Sequence, residues 1–98
     1  MFQKVVMSMF KLETKTLEIS ESFKKKIEII CSFANVKYEL IEGSIISVKG
    51  TNLGFVKPHV LKVKENDYLL FEDAKTVFIN GYKDKIKLTE LAEYLKNN

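Results

Sequence analysis

Between Val60 and Tyr82 the chain reads VLKVKENDYLLFEDAKTVFINGY. Two polar breaks, Glu65-Asn66-Asp67 and Glu72-Asp73-Ala74-Lys75, divide it into three short strands. Asn and Asp tolerate the backbone angles of turns, so the breaks read as tight connections. Tyr68-Leu69-Leu70-Phe71 and Val77-Phe78-Ile79 are apolar enough to lie in the middle of a core. Strands this short need neighbours and a covering helix to be stable. This meander is the expected scaffold of the domain.

The rest of the chain supplies the covering. Ser20 or Ser22 can cap a helix over about 21–34, with Glu21 in the first turn favoured by the helix dipole. Phe23, Ile27, Ile30, Cys31 and Ala34 form one apolar stripe, widened by Ile29 and Phe33, and Asn35 is a suitable stop. Upstream, a strand over about 4–14 puts Val6, Ser8, Phe10 and Leu12 on one face, with Met7 and Met9 on the other. Segments 36–42 and 45–49 alternate and flank Gly43-Ser44, which predicts a hairpin turning there. Residues 50–58, GTNLGFVKP, read as a long irregular loop. Asn80-Gly81 predicts a type I′ hairpin, followed by a strand in which Tyr82, Asp84, Ile86 and Leu88 alternate with Lys83, Lys85 and Lys87. Thr89 caps a short helix over about 89–97. The expectation is one α+β domain spanning 1–98, with a mainly antiparallel sheet of about five to seven short strands and both helices packed on it.

Composition narrows the function classes. All 16 basic residues are Lys, against 13 acidic ones. Without Arg the chain lacks the planar fork that reads guanine edges, so base-specific recognition is disfavoured. No apolar run approaches the about 18 residues of a membrane span. The N-terminal stretch meets Lys11, Glu13 and Lys15 at once, unlike a signal peptide. With the single Cys31, these features predict an intracellular protein.

Catalysis lacks parts. The one His (His59) follows Pro58, and Cys31 falls on the buried helix stripe, where a thiol behaves as a small hydrophobe. Neither a metal set nor a phosphate loop of Walker spacing is present. The expectation is a non-enzyme without cofactor or metal.

Two surfaces remain. Leu53, Phe55, Val56 and Lys57 lie in the 50–58 segment, where apolar side chains are either folded over the sheet or offered to a partner. Lys83, Lys85 and Lys87 recur at every second residue, a spacing of about 7 Å that suits phosphates of an extended strand. Tyr82 offers a stacking surface, and Lys24 and Lys25 add charge from the helix. The competing reading is that these lysines protect an exposed sheet edge.

Residues 42–50, EGSIISVKG, with Pro58-His59-Val60 and the strand after them, resemble the opening hairpin of a domain family in the large ribosomal subunit. The likeness covers about 20 residues and implies RNA association. It departs from the family at Thr51, where a Pro is usual, and in continuing as strand where the family has a long helix. The expected function is a protein-interaction module of regulator or inhibitor type, acting through the apolar loop or a sheet edge, with edge pairing open to homodimers. The alternative is an accessory RNA- or single-strand-binding protein using the lysine-lined strand.

Overall fold

The computed structural model describes residues 11–98. Its elements are β1 (Leu12–Thr16), α1 (Glu21–Ala34), β2 (Glu39–Ile41), β3 (Ser44–Val48), β4 (Gly54–Lys57), β5 (His59–Val63), β6 (Asn66–Leu70), β7 (Thr76–Ile79), β8 (Asp84–Lys87), a 3-10 turn (Leu88–Glu90) and α2 (Leu91–Asn97). The fold is α+β, with eight antiparallel strands in two sheets, ordered β2-β5-β6-β7-β8 and β1-β3-β4. Of the predicted early strand, 11–14 are described and 12–14 are strand; 4–10 lie outside the described residues.

The five-stranded sheet forms as its alternation dictates. Leu61, Val63, Tyr68, Leu70, Val77 and Ile79 fall on one face and are buried. α1 meets them with Phe23, Ile27, Cys31 and Ala34, and α2 with Leu91 and Leu95. Ser20 caps α1 by accepting the Phe23 N–H at 3.2 Å, and Asn35 ends it in the left-handed region at φ 55°. Ile29 and Phe33 do not widen the buried stripe. They are 69% and 57% exposed, because they lie on the flank of α1 turned from the sheet, where the Lys96 ammonium sits 5.4 Å from the Phe33 ring.

The largest departure from the sequence reading is at Gly43. Residues 39–48 do not double back there. They run on as β2 and β3 and pair throughout with β5 and β4. Ile41 faces Val60 before the break and Ser44 faces Lys57 after it, so Gly43 lies opposite Pro58 in an unbroken register. The result is one long hairpin, interrupted where Pro58 lacks an N–H. Its proximal half belongs to the five-stranded sheet. Its distal half, with β1 alongside, makes a three-stranded arm. The molecule is accordingly elongated, with extents of 53 × 25 × 20 Å and a radius of gyration of 16.8 Å, against about 13 Å for a compact chain of this length.

Two turns also differ from expectation. The β5–β6 connection is Lys64-Glu65, both at positive φ (51° and 69°), one step before the predicted break. That pair of angles is the signature of a two-residue I′ turn. Asn80 and Gly81 are also at positive φ, but Ile79 pairs with Asp84, so that hairpin has a four-residue loop.

Candidate functional site

The junction between arm and body is held by a small polar cluster. Gly43 is buried, and a β-carbon there would press on the Lys57 carbonyl and come within 2.8 Å of the Pro58 oxygen. The close approach of the two chains therefore requires glycine. The Gly43 N–H donates to His59 Nδ1 at 2.9 Å, and the Gly43 carbonyl accepts the Leu17 N–H at 2.9 Å. His59 is 1% exposed, and its Nδ1 acts as acceptor, which defines the neutral ring. Burial lowers its pKa, opposed in part by Glu72 and Glu42. Those two carboxylates tie down the chain leaving β1: Glu42 accepts the Ile19 N–H, and Glu72 accepts from both the N–H and the hydroxyl of Ser20. The Ser20 hydrogen bonds hold the Glu72 carboxyl below its usual range. The histidine thus has a structural partner on its accepting nitrogen.

Distal to this junction the arm is a sheet without a covering layer among the described residues. Its tip is shaped by Gly50 at φ 80° and by Thr51, whose hydroxyl donates to the Val48 carbonyl and accepts the Leu53 N–H. The register sorts its side chains. Leu12 faces Val48, and Thr14, Ile46 and Phe55 form a cross-strand row, so Leu12, Ile46, Val48 and Phe55 share one face, with Leu53 beside Val48 at the tip. Leu12, Leu53 and Phe55 are 67%, 68% and 61% exposed. Val56 lies on the opposite face with its partner Ile45, both also exposed.

This placement corrects the reading of 50–58 as a loop. Only the tip is irregular; Phe55, Val56 and Lys57 belong to β4, and their alternation divides the predicted set between two faces. Lys57 shares Phe55's face, at the row of Ser44 and Thr16. Leu12, Ile46 and Val48 complete the surface. The missed signal was in the sequence, since these residues alternate correctly, but their exposure depends on the arm projecting beyond α1.

The predicted lysine track is divided differently. Lys85 and Lys87 lie on the edge strand β8, opposite Phe78 and Thr76, whereas Lys83 lies in the preceding loop. Tyr82 stands edge-on to Phe78 at 5.0 Å between ring centres and is 61% exposed. Lys24 and Lys25 do not join them. They line a cleft of about 500 Å³ with Glu21, Glu28, Glu42, Tyr38, Leu40 and Ile19, beside β2, the other edge of the sheet. Four strand spacings separate the two edges, roughly 19 Å. Lys24 is also paired with Glu21 at 3.4 Å.

Cys31 is 1% exposed, and burial pushes its thiol up to about 11, which keeps it protonated at neutral pH. Among the described residues no three His, Cys, Asp or Glu side chains gather as metal ligands, and no helix is long and apolar enough to cross a membrane. Compared with known proteins, the chain matches no family profile, no curated sequence and no solved structure.

Proposed function

We propose that this chain is a small protein-interaction module whose contact surface is the apolar face of its three-stranded arm. One observation carries the reading: Leu12, Leu53 and Phe55 stand together on that face, each more than 60% exposed. Fully burying an aliphatic or Phe side chain is worth about 1.5–3 kcal/mol. A sheet that leaves three of them in water forgoes that gain unless a partner supplies the cover. Contiguous apolar surface of this kind marks interaction sites on globular proteins. Leu12 and Phe55 are strand-borne, and Leu53 is held at the tip by hydrogen bonds to Val48 and Thr51, so a partner meets a preorganised surface and spends little ordering it.

Phe55→Ala tests the reading. It should weaken partner binding at least about tenfold while leaving the unfolding midpoint nearly unchanged, because the ring makes little core contact. The partner is obtained by crosslinking to the wild-type chain, and binding is then measured with the purified pair. A variant that unfolds instead identifies Phe55 as core, and the reading fails.

Single-stranded nucleic acid along β8 is the second reading, favoured by Lys83, Lys85 and Lys87 having no carboxylate within ion-pair distance among the described residues. Salt separates the two. Phosphate tracking loses affinity steeply between about 50 and 200 mM salt, whereas an apolar contact does not. Lys83→Glu with Lys85→Glu should abolish a gel shift that depends on this strand, and an unchanged shift removes the reading.

A further inference from the structure

The two edges of the five-stranded sheet carry clefts of opposite character. Beside β2, three glutamates face two lysines. Beside β8, a cavity of about 530 Å³ is lined by Lys26, Lys75, Thr76, Lys87, Leu88 and Thr89, three cations and no acid. The three lysines come from separate elements: α1, the loop before β7, and the end of β8. None has a carboxylate within 4 Å among the described residues, where the ion pairs are Lys24–Glu21 and Lys62–Asp67.

The frame around the cavity is well tied. Thr76 directly faces Lys87 across β7 and β8, and the Leu88 N–H donates to the Lys75 carbonyl at 2.8 Å. The two acids three residues from Lys87 each hold another hydrogen bond: Glu90 Oε1 accepts the Lys87 N–H at 2.9 Å, and Asp84 Oδ2 accepts from the Asn80 side-chain amide at 3.3 Å. Like charges held together cost free energy, and a multiply charged anion between them reverses the sign of that term. Lysine ammoniums act on phosphate oxygens as point charges, and threonine hydroxyls add donors. Leu88 and the lysine stems give the cavity an apolar wall.

We infer that this cavity binds a phosphate monoester carrying a small apolar body. A phosphate dianion matches three ammoniums better than a carboxylate, and the volume falls within the usual range of small-molecule sites. The ester is either a soluble metabolite or the exposed headgroup of an anionic lipid, and the test separates them.

Amide chemical shifts of the full chain are followed during titration with phenyl phosphate at low salt. Saturable shifts are expected at Thr76, Lys87, Leu88 and Thr89, with weaker binding of inorganic phosphate and none of phenol. Lys75→Gln with Lys87→Gln should weaken phenyl phosphate about tenfold or more, the loss expected for charge-assisted hydrogen bonds. Lys24→Gln with Lys25→Gln, at the other edge, should leave it unchanged. Co-sedimentation with phosphatidylcholine vesicles, with and without phosphatidic acid, assigns the source: retention that needs phosphatidic acid and is lost in the Lys75/Lys87 variant means a lipid headgroup, and no retention means a soluble ester. The inference is overturned if phenyl phosphate gives no saturable shifts, or if both double variants weaken it equally.

Discussion

At the scale of single residues, His59 helps hold the junction between arm and body together. Its Nδ1 accepts the Gly43 N–H in a buried junction where Pro58, having no N–H, leaves the ladder incomplete. His59→Ala should cost about 1–3 kcal/mol for the orphaned donor, plus the cavity it leaves. His59→Asn, with an amide oxygen close to the Nδ1 position, should recover part of that loss in urea unfolding. Protonation has a definite sign here. Burial depresses the folded-state pKa below the ordinary 6.5, so in that range the unfolded chain binds the proton and the folded chain does not. Stability is therefore complete above pH 6.5 and falls as pH drops below it toward the folded-state pKa. Glu72, held below its ordinary 4.5 by the Ser20 hydrogen bonds, contributes to the pH dependence only below that value. Unfolding measured between pH 7 and 5 should show the slope in the native chain and lose it in His59→Asn; a flat native profile would contradict the assignment. Lys64-Glu65 is a second residue-scale case. Both hold left-handed angles that cost non-glycine residues about 1 kcal/mol or more, so Glu65→Gly should raise stability by about 1 kcal/mol in the same assay.

At the scale of elements, local signals were legible and long-range ones were not. α1 was readable because Ser20, the apolar stripe and Asn35 all act within the helix itself. β5, β6 and β7 were readable because alternation and turn residues act between chain neighbours. Gly43-Ser44 was misread for the same reason. A glycine between two alternating runs looks like a hairpin turn, and what makes it a kink is Pro58, 15 residues away and opposite it in the register. The candidate site inherited that error: with 39–48 folded back on itself, 50–58 had no strand to pair with and read as a loop. Phe55 and Leu53 stand out in the sequence as side chains either folded over the sheet or offered to a partner, but their neighbours Leu12, Ile46 and Val48 join them only through the arm's pairing. Ile29 and Phe33 fail differently, since helical periodicity alone does not say how wide a stripe the sheet can cover.

At the scale of the whole molecule, among the described residues the body has one core and the arm has none. Both helices lie over the body, and the described arm residues are exposed or half-buried. Small-angle scattering should give a radius of gyration near 17 Å for the monomer, and a value near 13 Å would mean that the arm folds back onto the body. That geometry, with the exposed apolar side chains on it, is the ground on which the arm is proposed as a contact surface. The decisive measurement is the double variant Leu53→Ala with Phe55→Ala, followed by thermal unfolding and by affinity for the crosslinked partner. The predicted result is an unfolding midpoint within about 4 °C of the native chain, a change of about 1 kcal/mol or less, together with lost partner binding. A fall of more than about 12 °C, the size expected when a buried Phe is truncated, would show that these side chains hold the fold together and would contradict the account.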